Sequence, residues 1–64
     1  MVQIKIYSWP NIIDGYDYDQ MIARYQKIIL DGWKEHSIIL HNSIIKYIEV
    51  DNADQATIFN FKYN

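Results

Sequence analysis

The sequence has no cysteine, which excludes a disulfide framework and any cysteine-based zinc site. It has one proline and two glycines, and half of its residues are hydrophobic, a composition far from that of a disordered chain. A chain of 64 residues buries only about 60% of the surface that its unfolded form exposes. We therefore predict a single folded domain over residues 1–64, with a small core that relies on close packing or on a partner.

Long apolar runs and an excess of basic charge are also missing. No segment approaches the roughly 18 apolar residues that span a bilayer, and the first residues lack the pattern of a signal peptide. Together with the absence of cysteine, this favours a cytoplasmic protein that does not enter a membrane. Six basic and eight acidic side chains give a net charge of −2, so the chain lacks the basic field that attracts nucleic-acid backbones.

The segment from Asp17 to Trp33 has the one clear helical periodicity in the chain. Its apolar residues recur with i, i+3, i+4 and i+7 spacing and are Met21, Ile22, Tyr25, Ile28 and Ile29. Asp17 is suited to cap the first turn, with Gln20 placed to complete a capping box, and Gly32 is suited to the left-handed residue that ends a helix. We predict a helix over residues 18–31, around which the rest of the chain packs.

The first and last strands are predicted from alternating patterns. Residues 2–8 alternate apolar and polar side chains, and Pro10 ends this strand because proline has no N–H to donate to a sheet. Residues 56–63 alternate again, after a run of turn-forming residues at 51–55.

Two further strands are predicted between the helix and the last strand. Residues 37–41 and 44–50 are rich in β-branched side chains, and Asn42-Ser43 between them suits a hairpin turn. Two alternative interpretations are a single bent strand over residues 37–50 and a first helix extended to His36. Both change element boundaries but keep a layer of helix on a layer of sheet. The predicted fold is therefore α+β, with one helix packed on a mainly antiparallel four-stranded sheet in the order β-α-β-β-β.

One helix covers only one face of such a sheet, so apolar side chains on the other face are candidates for protein binding. These are Tyr7, Trp9, Ile45, Tyr47 and Ile58, ringed by charged and polar residues. Aromatic anchors within a charged rim resemble the hot spots of protein interfaces, and a contiguous apolar patch on a small monomer indicates an interface. The competing interpretation is that isolated apolar side chains on a solvent face are ordinary, and that Tyr7 and Trp9 turn round the sheet edge into the core.

Three carboxylates lie close together before and at the start of the predicted helix, at Asp14, Asp17 and Asp19. They are candidates for contacting arginine or lysine of a partner in place of phosphates, because charge-assisted hydrogen bonds of that kind are strong and directional. The competing interpretation uses each one locally: Asp14 in the turn, Asp17 as the cap and Asp19 beside the helix dipole. The spacing does not match an EF-hand loop, so no metal site is predicted.

No motif for catalysis is present. His36 and His41 are the only histidines, and as strand neighbours five residues apart they point to opposite faces. No serine or threonine has the sequence context of an activated nucleophile. We therefore predict a protein that is not an enzyme and has no cofactor.

The leading hypothesis is a small protein-binding module that docks through its open sheet face or through a free sheet edge. It masks or inhibits a partner protein, associates with a second copy of itself as a homodimer, or both. Thirteen isoleucines against two leucines indicate an A+T-rich gene, which with the small size is typical of a phage- or plasmid-type inhibitor of a host enzyme. One alternative is an inhibitor whose acidic connector mimics phosphates and blocks a nucleic-acid-processing protein. Another is a sheet face on which single-stranded nucleic acid stacks, although the net charge argues against it.

Overall fold

The computed structural model describes the whole chain, Met1–Asn64, and shows an α+β fold with two layers. In chain order the elements are β1 Val2–Trp9, α1 Tyr18–Leu30, β2 His36–Leu40, β3 Ser43–Val50 and α2 Ala53–Lys62. The three strands form one antiparallel sheet in the order β1-β3-β2. The predicted α+β class is confirmed. The predicted fourth strand and the order β-α-β-β-β are wrong, because the last segment is a helix.

α1 begins and ends close to the residues that its sequence marks. The backbone N–H of Gln20 donates to Asp17 Oδ1 over 2.8 Å, and the backbone N–H of Asp17 donates to Gln20 Oε1 over 3.1 Å, which completes the predicted capping box. Gly32 has a φ of +94°, the left-handed conformation that glycine adopts without strain at a helix end. The apolar stripe faces the sheet and buries Met21 and Ile28 almost completely.

A β-bulge in β1 decides which face its later residues occupy. Lys5 pairs with Tyr47 of β3. Tyr7 pairs with Lys46, so the register shifts at the intervening Ile6. A shift of one residue moves the following side chains to the other face of the sheet. Tyr7 therefore lies on the helix-covered face, contrary to the prediction from simple alternation.

β2 and β3 form the predicted hairpin. The turn consists of His41 and Asn42, and Ser43 is the first residue of β3. β3 continues past the end of the hairpin and pairs with β1 on its other side. β3 is therefore the central strand, and β1 and β2 are the two edges of the sheet.

α2, Ala53–Lys62, takes the place of the strand that alternation predicts over residues 56–63. Asn52 caps this helix, since its Oδ1 accepts the backbone N–H of Gln55 over 2.9 Å. The side chains that α2 turns toward the core recur with helical spacing and are Ala56, Phe59 and Tyr63. Phe61 is 88% exposed, whereas a strand would place it on the same face as the buried Phe59.

Both helices lie on the same face of the sheet and share one core with it. The core residues are Ile4, Ile6, Ile28, Ile48, Val50, Phe59 and Tyr63. Arg24 of α1 links the layers: its Nε donates to the Tyr63 carbonyl over 2.8 Å, and its Nη1 donates to the Lys5 carbonyl over 3.3 Å. The other face of the sheet has no helix against it. Neither helix combines the length and the hydrophobicity that crossing a membrane requires.

Candidate functional site

β2 is the least covered element of the sheet. Neither helix packs on it, and four of its five residues are exposed. Its apolar side chains, with a neighbouring residue of β3, form what we call the β2 surface: Ile38, Ile39, Leu40 and Ile44. Ile39 is 79% exposed and Leu40 is 52% exposed. Four adjacent aliphatic side chains exposed at the rim of a sheet are typical of a surface that another protein covers.

The two edges of the sheet differ in their protection. At the β1 edge, Arg24 donates to the carbonyl oxygen of Lys5. The bulge at Ile6 and the proline at Pro10 add to this protection, because bulges, lysine and proline keep an edge strand from pairing with another chain. β2 has no lysine, no proline and no register shift. Its outer backbone N–H and C=O groups are therefore open to pairing with an extended segment.

The face of the sheet away from the helices has a polar end and an apolar end. At the polar end the His36 ring stacks on Tyr47, with 5.3 Å between ring centroids. His36 Nε2 also lies 3.3 Å from Glu49 Oε1. Nearer the hairpin turn, Ile38 pairs with Ile45. The open face is therefore aliphatic at the hairpin end and polar at the other end.

A cleft of about 410 Å³ continues the β2 surface across this open face. It lies between the sheet and the connector from β1 to α1, and its apolar lining residues are Ile12, Ile13, Leu40 and Ile45. Lys5 and Asp14 add one charge of each sign to the lining. An open cleft with aliphatic walls and a few charged groups suits the side chain of a bound polypeptide.

Three side chains form a hydrogen-bonded cluster where the segment before β2 meets α1 and β3. The Tyr25 hydroxyl donates to Glu35 Oε2 over 2.5 Å. Lys46 Nζ donates to Glu35 Oε1 over 3.0 Å and to the Tyr25 hydroxyl over 3.1 Å. The Tyr7 ring packs beside them, 5.5 Å from the Tyr25 ring. Glu35 immediately precedes β2, so this cluster fixes the position at which the exposed strand begins.

The cluster shifts the pKa values of all three groups. Hydrogen bonds from Tyr25 and then from Lys46 lower the pKa of the Glu35 carboxyl. Hydrogen bonds to Tyr25 and then to Glu35 raise the pKa of the Lys46 ammonium. Burial, followed by the hydrogen bond to Glu35, raises the pKa of the Tyr25 hydroxyl. Each pKa thus moves further from 7: that of Glu35 downward, and those of Lys46 and Tyr25 upward. These groups keep their protonation states near pH 7, so they are poorly suited to acid–base catalysis.

A second cleft of about 480 Å³ lies between α1 and the end of α2. Its cationic lining residues are Arg24, Lys27 and Lys62. The Arg24 guanidinium is bound by two backbone carbonyls, and Lys62 Nζ lies 3.8 Å from Asp31 Oδ2. Only Lys27 is without a protein partner, so this cleft does not concentrate the positive charge that an anion site needs.

The residues predicted for protein binding, Tyr7, Trp9, Ile45, Tyr47 and Ile58, do not form one surface. The first two lie on the helix side of the sheet, each against a tyrosine ring of α1. The structure brings together only Ile45 and Tyr47, on the open face. Ile58 is exposed on α2.

Sequence reasoning allowed for binding at a free sheet edge but did not identify the residues of the β2 surface, although the sequence contains a signal for them. Ile38, Ile39 and Leu40 are consecutive, so both faces of this strand carry aliphatic groups. An apolar run of this kind is typical of a strand that is covered on both faces. In a single chain this strand is instead an exposed edge. The apolar pattern of β2 and its exposed position at the edge of the sheet therefore disagree.

The three carboxylates predicted as an acidic contact have different surroundings. Asp17 is the cap of α1, Asp19 lies in the first turn of that helix, and Asp14 lines the cleft on the open face. The side chain of Asp17 is thus used within the chain, whereas those of Asp14 and Asp19 are exposed and make no ion pair. No group of three or more histidine and carboxylate side chains is placed to hold a metal ion.

Comparison of the chain with models of protein families, with curated proteins and with solved structures found no match. The surfaces described above therefore supply the physical basis for a function. Among them, the β2 surface combines open backbone groups with exposed apolar side chains, and the two clefts do not.

Proposed function

We propose that the chain is a small non-enzymatic protein-binding module that docks a partner protein along the β2 surface and masks it. The observation that carries this proposal is the open edge of β2, where unprotected backbone groups lie between aliphatic side chains on both faces. Edge strands of this kind bind extended segments: backbone hydrogen bonds supply affinity, and alternate side chains supply specificity. The favoured mode of binding is therefore addition of a strand to the sheet.

The two faces of β2 make different contacts in this mode. On the open face, Ile38 and Leu40 pack against alternate side chains of the incoming strand, and the cleft beside Ile45 receives one of them. On the other face, Ile39 and Ile44 are exposed and cover the remaining side chains. Binding therefore removes both exposed faces of the edge strand from water.

The finer parts of the hypothesis rest on composition and size. Inhibition of a host enzyme by a phage- or plasmid-type protein, and a cytoplasmic location, stay predictions. The phosphate-mimic proposal has less support, because Asp17 caps α1. The nucleic-acid proposal also has less support, because Lys5 and Lys46 lie on opposite faces of the sheet and Lys46 is paired with Glu35.

Affinity capture from the source cells tests the proposal with three baits: the wild-type chain, Ile39→Lys and Phe61→Lys. Both variants replace a strongly exposed apolar side chain with lysine, but only Ile39 lies on β2, whereas Phe61 lies on α2. We expect at least one protein to be recovered with wild type and Phe61→Lys and lost with Ile39→Lys, because lysine on an edge strand opposes pairing. Quantitative mass spectrometry measures recovery, and titration of the purified partner measures direct binding.

Circular dichroism of the three baits checks that each is folded. Recovery that is the same with Ile39→Lys as with wild type would contradict the proposal, and so would recovery of nothing by any bait. Loss with Phe61→Lys but not with Ile39→Lys would place the binding surface on α2 and would also contradict it.

A further inference from the structure

Both glycines of the chain directly follow an aspartate, at Asp14-Gly15 and Asp31-Gly32. We propose that the fold makes Asp14-Gly15 a site of spontaneous isoaspartate formation and protects Asp31-Gly32 from the same reaction. Glycine has no side chain to shield its backbone nitrogen, so attack by that nitrogen on the preceding aspartate is least hindered at these two pairs. The reaction needs only water and is independent of the proposed function.

The reaction passes through a succinimide ring. The glycine nitrogen attacks Cγ of the aspartate and forms a bond with it, and the amide hydrogen and the carboxyl OH leave as one water. A water then opens the ring. Cleavage of the new N–Cγ bond restores aspartate, whereas cleavage between the nitrogen and the backbone carbonyl carbon leaves the chain running through Cγ as isoaspartate. One water leaves and one enters, so the mass is unchanged.

The two pairs have closely matched neighbours in the sequence. An aliphatic residue precedes each pair and an aromatic residue follows it, in the segments Ile13–Tyr16 and Leu30–Trp33. Both aspartates and both glycines are exposed at turns. Neither local sequence nor solvent exposure therefore distinguishes the pairs, and any difference in rate comes from the interactions that the fold makes with them.

The reacting groups of Asp14-Gly15 are not held by the fold. This pair forms the centre of a type II turn, in which the Tyr16 N–H donates to the Ile13 carbonyl over 3.2 Å and Gly15 has a φ of +89°. The Gly15 N–H has no acceptor in the chain, and the Asp14 carboxylate makes no hydrogen bond or ion pair. Ring closure therefore breaks at most the one hydrogen bond of the turn.

The reacting groups of Asp31-Gly32 are both hydrogen-bonded. The Gly32 N–H donates to the Ile29 carbonyl over 3.0 Å, which holds the attacking nitrogen against the last turn of α1. Asp31 Oδ2 accepts the hydroxyl hydrogen of Tyr63, a side chain buried in the core. Both interactions must break before the nitrogen reaches Cγ, so reaction at this pair requires local opening of the fold.

Isomerisation at residue 14 changes one wall of the cleft on the open face. Isoaspartate adds a methylene to the backbone between β1 and α1, and its free carboxylate is attached to Cα. Asp14 lines the cleft together with Ile12 and Ile13. The core cluster contains no residue of this connector, so the modified chain keeps its core while the cleft changes shape.

Prolonged incubation of the full chain in warm neutral buffer tests the site. Trypsin cleaves after Arg24 and Lys27, which places the two pairs in separate peptides, residues 6–24 and 28–34. Labelling with an isoaspartate-specific methyltransferase quantifies the product in each peptide, and electron-transfer fragmentation identifies the modified residue. We expect isoaspartate to accumulate at residue 14 at least about tenfold faster than at residue 31, because only the second pair must first lose its hydrogen bonds.

Two controls separate the effect of the fold from that of the sequence. In guanidinium chloride the protecting hydrogen bonds are absent, and the rates at the two pairs are expected to agree within about twofold. Asp14→Glu is expected to form no isoaspartate in peptide 6–24, because the longer side chain would have to close a larger ring. Product that persists there in Asp14→Glu would come from Asp17 or Asp19 and would overturn the assignment.

The folded wild-type chain decides the proposal. Equal rates at the two pairs, or a faster rate at residue 31, would overturn it, because the fold would then give no protection to Asp31-Gly32. Absence of isoaspartate at residue 14 from the folded chain would overturn it as well. Selective formation at residue 14 in the folded chain, together with similar rates in guanidinium chloride, is the result that the structure predicts.

Discussion

Lys46 and Glu35 form an ion pair with 3.0 Å between Nζ and Oε1, across the join between the central strand and the segment that leads into β2. Both side chains are partly buried, and each is hydrogen-bonded to the Tyr25 hydroxyl. The pair thus ties the start of the open strand to α1 and β3. We expect the stability of the fold to depend on the protonation of Glu35.

Glu35→Gln tests this dependence. Folding lowers the pKa of this carboxyl below its ordinary value of 4.5. Between the two pKa values the unfolded chain binds more protons, so stability rises with pH there. The stabilisation that ionised Glu35 gives to the folded chain is fully present above the unfolded-state pKa. It is lost as the pH falls through the folded-state pKa. We expect Glu35→Gln to have a free energy of unfolding about 1 kcal/mol below that of wild type at pH 7, and this gap to vanish in acid.

Urea denaturation at a series of pH values measures the gap. Asp14→Asn is the control, because Asp14 is exposed and makes no ion pair. Its free energy of unfolding is expected to follow that of wild type at every pH. A gap for Glu35→Gln that stays constant from pH 7 into acid would show that the charge of the carboxylate is not its source.

Asp17→Ala tests whether this carboxylate acts as a helix cap. The variant leaves the Gln20 N–H without its acceptor, so we expect a loss of about 1 kcal/mol in the free energy of unfolding. The free energy of unfolding of Asp17→Asn is expected to fall by only about 0.3 kcal/mol, because asparagine caps helices about as well as aspartate. Thermal and urea unfolding measure both. Unchanged stability of Asp17→Ala together with weaker capture of a partner would favour the acidic-contact hypothesis instead.

The same substitution, isoleucine to valine, is expected to change stability differently in the core and on the β2 surface. Ile48 is completely buried, so Ile48→Val is expected to destabilise the chain by about 1 kcal/mol through the lost methylene and the space it leaves. Ile39 is mostly exposed, so Ile39→Val at low concentration is expected to change stability by less than about 0.5 kcal/mol. Urea denaturation of dilute protein measures both. Equal losses would mean that Ile39 is buried in solution even in the monomer.

Elements whose local signals agree were predicted well from the sequence. In α1 the apolar period, the Asp17 cap and the Gly32 stop all favour the same helix, and the structure has it within one residue of the predicted end. The hairpin was also predicted, because Asn42 separates two β-branched runs. In both cases the interactions that decide the structure lie within a few residues of one another.

Elements decided by distant contacts were not predicted. The alternation of β1 continues through Ile6, and nothing in it marks the bulge that turns Tyr7 and Trp9 to the helix side. That bulge depends on pairing with β3, which is remote in sequence. The predicted binding face therefore contained two residues that lie on the helix side of the sheet, and it omitted the edge residues of β2.

The second helix was missed because its sequence satisfies both periods. Thr57, Phe59 and Phe61 alternate as in a strand, and β-branched and aromatic side chains favour strands. Against this, Asn52 followed three residues later by Gln55 is a helix-start signal of the same kind as that of α1. The burial of Phe59 against α1 and the sheet then selects the helix.

Phe59 and Phe61 therefore provide a direct test of the helix. On a strand these two residues share a face, so truncating either would have a similar effect. In α2 they differ: Phe59 is buried against the Trp33 ring, 5.1 Å between centroids, and Phe61 is exposed. We expect Phe59→Leu to lower the free energy of unfolding by about 1 kcal/mol or more and Phe61→Leu to change it by less than about 0.5 kcal/mol. Urea denaturation followed by near-ultraviolet circular dichroism measures both, and equal losses would show that residues 56–63 do not form this helix.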